Sequence, residues 1–301
     1  MKPHPLISAL ALIIPASLCC AEGKEYMLKM ERPSKRGEMQ KIRWKITIEN
    51  SQRLTQGQRK LKEEASDIQA EVTGVTEIIE MGPKNNMKKA TLTVEKFSLQ
   101  EEEQAPVAPV APGTVITGSL DSKGKEKFEA GGKVIDGAAA KVLKELFPLK
   151  SDDEKQLDDD KLSNTSIPRA VGSTWSINAE AAVESMPDDV PLTVKAEDID
   201  GKIKFPAVKT VDGKEYAQLE MTMSMKPSVV KELPPKFKTS SVDMRVSGSM
   251  LLPLDQDETI TPEDSTTMSM DLSGTIPSPE GALSLSVFIR VKKERASAPV
   301  E

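Results

Sequence analysis

Histidine and cysteine are nearly missing from this 301-residue chain: His4, Cys19 and Cys20 are the only ones, and aromatic residues make up only 3% of it. All three lie in a leading segment that reads as a secretory signal peptide. Lys2 opens it, an apolar run fills residues 6–14, Pro15 breaks that run, and small residues at Cys19 and Ala21 precede a cut. Cleavage after Ala21 makes Glu22 the mature N-terminus and leaves a chain with no histidine, cysteine or disulfide. The alternative is a lipid anchor on Cys20, although Leu18 and Cys19 stand where lipoprotein signals use smaller residues. The apolar run is too short to cross about 30 Å of hydrocarbon, and no later run approaches the roughly 20 residues needed. The expectation is export to the periplasm or the cell exterior with no transmembrane segment.

These absences exclude chemistry. Ser/His/Asp triads, Cys/His dyads, His or Cys zinc sites and His-ligated haem all require side chains that the mature chain lacks. Carboxylate pairs remain, but glycosidases set theirs among aromatic platforms, and Trp44 and Trp175 are the only tryptophans. The chain is expected to be non-enzymatic and without cofactor. The acidic stretch Asp152, Asp153, Glu154, Asp158, Asp159 and Asp160 lacks the glycine and terminal glutamate of a calcium loop, so it reads as a solvated loop with no metal. Losing residues 1–21 removes Lys2 and no acid, moving the formal charge from −6 to −7. Lys and Glu interleave along the chain, as at Lys123, Lys125, Glu126 and Lys127, which argues against nucleic acid as a partner. Lys292, Lys293 and Arg295 read as a solvated end of the last strand.

Period-two alternation dominates what is present. Tyr26, Leu28 and Met30 alternate, as do Ile42, Trp44, Ile46 and Ile48, then Leu92 and Val94 before Phe97. Further strands are expected over 114–120, 174–183, 192–199, 202–208, 215–225, 242–252, 266–274 and 283–291. Asp200-Gly201 and Asp212-Gly213 read as hairpin turns, making 191–226 a three-stranded antiparallel meander. Gly82, Pro83, Asn85 and Asn86 mark another reversal, and 253–262 a longer one.

Two stretches interrupt the alternation. Residues 101–113 run from Glu101-Glu102-Glu103 into Ala-Pro-Val repeats, which favour a polyproline loop or spacer. Over 132–148, Val134, Ile135, Ala138, Ala139, Val142, Leu143, Leu146 and Phe147 fall at helical spacing, and Pro148 ends the pattern. The fold expected is mainly β: a large curved antiparallel sheet or half-barrel of about a dozen strands, with this one amphipathic helix packed on its concave face. It forms a single domain over 22–296, carrying the loop 101–113, the helix and an acidic loop over 150–168, with 297–301 as a disordered tail.

Methionine placement is the most unusual feature. Met221, Met223 and Met225 alternate in one strand, Met244 and Met250 share a face in the next, and Met268 and Met270 follow in a third. Methionine fills irregular core gaps, but it also forms pliable surfaces that mould around varied apolar partners.

An exported chain of tandem antiparallel strands, with one helix after Gly131-Gly132 and Gly172-Ser173-Thr174-Trp175 leading into a strand, resembles the lipoprotein-localisation carriers of the bacterial periplasm. It is similar too to uncharacterised exported bacterial domains of that layout. The resemblance concerns layout over 24–294 and transfers no functional residue. In the carriers a half-barrel is closed by helices over a cavity that accepts acyl chains, and this chain departs from them in offering one helix. Two readings stay open. In one, Met221, Met223, Met225, Met244, Met250, Met268 and Met270 line a surface for a hydrophobic or lipid ligand, with Val142, Leu143, Leu146 and Phe147 on a covering lid. In the other, the helix plugs a closed core and the protein is a structural or interaction component of the envelope.

Overall fold

The alternating pattern becomes strands in a computed structural model, which describes residues 23–32, 34–152, 158–184, 186, 192–227, 229–230 and 237–300. The leading segment read as a signal peptide, with Cys20 and the expected cleavage point at Ala21, lies outside the described residues, as do Asp153 and Glu154. In chain order the elements are β1 (Glu25–Tyr26), β2 (Met39–Gln56), β3 (Arg59–Met81), β4 (Met87–Glu101), β5 (Val115–Leu120), β6 (Glu126–Ala130), β7 (Lys133–Val134), α1 (Gly137–Leu146) and α2 (Asp159–Ser163). There follow β8 (Arg169–Ala170), β9 (Thr174–Ser176), α3 (Ala179–Glu184), β10 (Leu192–Thr193), β11 (Ile199–Val211), β12 (Lys214–Met225), β13 (Val229–Val230), β14 (Lys238–Pro253), β15 (Glu263–Ile276) and β16 (Leu283–Pro299).

Twelve of these strands form one antiparallel sheet in the order β7-β6-β5-β4-β3-β2-β16-β15-β14-β12-β11-β9, which does not close into a barrel. β2–β7 make one meander, and β11, β12 and β14–β16 a second. The ladder between β2 and β16 joins them at the centre, from Gln40 opposite Pro299 to Gln56 opposite Leu283. Register shifts at Leu54/Thr55, Thr73/Gly74, Lys204/Ala207 and Thr239/Ser241 bend the strands, as bulges do.

Alternation gives the sheet two unlike faces. The outer face carries Arg43, Lys45, Thr47 and Glu49 on β2, and Ser265, Thr267, Ser269 and Asp271 on β15. The inner face holds two cores. In the first, Trp44, Ile46, Val72, Leu92, Ile116 and Phe128 pack against α1. In the second, Phe205, Leu219, Ala217 and Leu252 pack against Leu28, Trp175 and Ile177.

Several local expectations change. Asp212-Gly213 does turn β11 into β12, with both residues at positive φ (48° and 78°), as a type I′ hairpin requires. Asp200-Gly201 instead lies inside β11, where a side chain at Gly201 would meet Ile177 and the Thr222 carbonyl. Tertiary packing, not a turn, needs that glycine, and β10 pairs with β13 rather than β11. The strand expected over 174–183 ends at Ser176. Asn178 then accepts the Ala181 N–H and starts α3. Likewise, 196–198 is a single 3-10 turn before β11. The acidic loop contains α2, whose Asp158 cap accepts the Lys161 N–H. Residues 101–113 form a loop pinned by mutual Leu99–Val107 backbone hydrogen bonds of 2.7 and 2.8 Å, occupying the part of the β4 edge that β5 leaves free. β16 continues through buried Ser297 to Pro299, so strand fills most of the stretch expected as a tail.

Candidate functional site

The registers carry the methionines across neighbouring strands on the inner face. Met225 stands opposite Met244, Met244 opposite Met270, and Met270 opposite Ile289. One step along, Met223, Val246, Met268 and Val291 form a second row, and directly paired side chains lie about 5 Å apart. Met221 faces Gly248, and Met250 lies between Leu219 and Asp264. All seven expected methionines therefore share one face.

They are not equally covered. Met225 is buried, while Met221, Met223 and Met250 are half-buried against the second core. Met244, Val246, Met268, Met270 and Ile289 belong to neither core. Met268, in the middle of the strip, is 40% exposed. The result is an apolar strip on β16, β15 and β14, left partly open between the two cores; this strip is the trough.

Val142, Leu143 and Phe147 are fully or almost fully buried in the first core, and Leu146 packs against it. The Phe147 ring lies 5.9 Å from that of Phe128. These residues are brought together with β4 and β6, not with the methionines. The helix plugs one end of the sheet, and its Glu145 carboxylate pairs with Lys293 of β16 at the edge of the trough.

The far wall is an irregular strap. Tyr26 packs edge-on to Phe205 at 5.6 Å, Leu28 enters the second core, and the Met30 N–H donates to Asp160 at 2.5 Å. Arg32 then donates to the carbonyls of Lys29, Pro253, Asp255 and Glu258 at 2.6–3.1 Å. Burial lowers its guanidinium pKa, opposed by Asp160, Asp255 and Glu258. Trp175 donates from Nε1 to the Ser163 carbonyl at 2.7 Å, with Arg169 over its ring. Beside the strap, burial raises the Asp159 carboxyl above its usual range, with Lys150 acting against it.

The polar side chains at the trough's end are what sequence reasoning missed. Lys292 does lie on the outer face, paired with Glu294, but Lys293 and Arg295 share the inward parity of Ile289 and Val291. Lys293 pairs with Glu145, and Arg295 Nε donates to Asp264 at 2.6 Å. Counting forward from Val291 by twos would have found them. A depression of about 370 Å³ has Arg43, Lys45, Gln218, Ser249, Ser265 and Glu294 of the opposite face in its lining, together with Asp264 and Arg295. Among the described residues there is no cluster of potential metal ligands, and no helix is long and apolar enough to cross a membrane.

No family model matches the chain, and no curated protein does. Solved structures overlap it loosely. A lipovitellin structure concerned with lipid–protein interactions aligns at 11% identity and a TM-score of 0.34, over 89% of this chain and 26% of that one, so this chain spans about a quarter of its length. MucB in complex with MucA(peri) aligns at 9% identity and a TM-score of 0.18, over 82% and 88% of the two chains. The Pseudomonas aeruginosa MucA/MucB complex gives 8% and 0.17, over 81% and 88%. Alignments this loose assign neither family nor ligand.

Proposed function

We propose that this chain is an exported, non-catalytic carrier or sensor that holds an acyl chain in the trough between its two cores. One observation carries the reading: an inward-facing row, Met223–Val246–Met268–Val291, in which Met268 is left 40% exposed although both ends of the sheet are covered. Large apolar side chains on a core-facing surface are normally removed from water, and methionine adapts well to a flexible apolar ligand. The dimensions suit one chain. From Val291 to Leu285 the inward row of β16 runs six residues, about 20 Å at strand rise, against about 15 Å for one leaflet of bilayer hydrocarbon. Export rests on the residue 6–14 run and Ala21.

Met268→Asp tests the site. A carboxylate at this half-open position keeps enough water to leave the fold intact, as circular dichroism would record, but it forces a charge into the ligand path. Binding of a fluorescent fatty acid should fall by about tenfold or more, the equivalent of roughly 1.4 kcal/mol. Unfolding of the variant would mark the strip as closed core, and unchanged binding would move the ligand elsewhere.

A further inference from the structure

We infer that the charged end of the trough receives the head of a zwitterionic amphiphile, one carrying both a phosphate and an ammonium group, with its chain running from Val291 towards Leu285; this rests on the acyl-chain reading above. Lys293 and Arg295 continue the inward row of Val291, Ile289 and Val287, so polarity changes along one line of side chains. An apolar floor ends at two cations, each facing a carboxylate: Lys293 with Glu145 and Arg295 with Asp264.

The side chains of these four residues are between 22% and 40% exposed, open enough for a ligand to reach and sheltered enough to escape full solvent screening. Their charges cancel. A purely anionic head meets Glu145 and Asp264 as well as the two cations, and a purely cationic head meets Lys293 and Arg295. A head bearing both signs can set its phosphate on the cations and its ammonium on the carboxylates, so every contact is complementary. Lys293 and Arg295 lie two residues apart, about 7 Å along the strand, and Glu145 brings the α1 wall to the same point.

The test compares three amphiphiles with the same palmitoyl chain by calorimetry below their micelle concentrations: lysophosphatidylcholine, palmitate and monopalmitoylglycerol. Lysophosphatidylcholine should bind about fivefold more tightly than either of the others, the scale of a partly exposed ion pair. In the variant Glu145→Gln/Lys293→Gln/Asp264→Asn/Arg295→Gln, checked for folding by circular dichroism, that preference should vanish while monopalmitoylglycerol binds as before. If the chains bind the native protein without a head preference, or palmitate binds tightest, the head-group inference fails and the trough stands. The same holds if a folded variant keeps the native ranking. If none of the three binds, both readings fall. The ranking on the unmodified protein decides the matter even should the variant not fold.

Discussion

The two halves of the sheet obey the same alternation and bury their inward faces differently. In the half built from β2–β6, Ile42, Trp44, Ile46, Val72, Leu92, Ile116 and Phe128 are all almost inaccessible, because the connection after β7 folds into α1 and lies across them. In the half built from β11–β16, the covering chain is a strap and short helices that pack on β11, β12 and the Met250–Pro253 end of β14, so Met244, Met268 and Met270 stay partly open. Side-chain choice follows. Stiff β-branched residues and rings fill the closed half, and flexible methionines floor the open one. In an open sheet, what lies between strands decides how much of the apolar face is removed from water.

The sharpest way to break this contrast is a matched pair of truncations. Phe147→Ala should cost about 3–5 kcal/mol as a filled core position, whereas Met268→Ala should stay within about 0.5 kcal/mol as a half-open one. Chemical denaturation measures both, and equal losses would mean that the halves are packed alike. A smaller effect should come from the strap. Arg32→Met strands carbonyls that its guanidinium now satisfies, at about 1.5–3 kcal/mol, and should open the N-terminal segment to proteolysis while α1 stays protected. Unchanged proteolysis would show that Leu28 and Asp160 hold the strap by themselves.

Acid titration should give the smallest difference. Hydrogen bonds from Lys96 and Arg43 hold Glu71 below the usual carboxylate range, and the backbone N–H groups of Lys125 and Lys123 do the same for Asp121. For such groups the stabilisation is complete above the unfolded carboxylate value, about 4, and is lost as pH falls through the lower folded value. Asp159 has the opposite sign: its raised folded value means stability is gained as pH falls through it. The melting temperature should therefore rise slightly on mild acidification before it collapses, and Asp159→Asn should abolish the rise without moving the collapse.

Legibility followed burial only in part, since β3, with Ile68, Ala70 and Val72 buried, and β6, with Phe128 buried, were not read as strands. Trp44, Ile46 and Ile48 announce β2 because one of its faces is in the core. The outer part of the β2–β3 hairpin, from Asn50 to Ser66, is largely polar on both faces, so periodicity is silent although backbone pairing continues. Asp212-Gly213 needed only local turn chemistry. Asp200-Gly201 looks the same in sequence, and only the neighbouring Ile177 tells them apart. The shared face of Met221–Met225, Met244–Met250 and Met268–Met270 could be read strand by strand. Its separation from Val142 and Phe147 could not, because that depends on the order of strands, and β2 and β16 meet across most of the chain. Lys293 and Arg295 were obscured by Lys292 and Glu294, whose outward charges make the whole run look solvated.

The β2–β16 ladder also sets a timetable. Gln40 pairs with Pro299, so the centre of the sheet is the last part that a growing chain can assemble. Until β16 arrives, each meander ends in an unpaired strand with an apolar inner face, an invitation to pair with other chains. The long loop that β2 and β16 must close makes that step slow compared with hairpin formation. A chain cut before Leu283 would lose not a terminal ornament but the seam that makes one sheet of two.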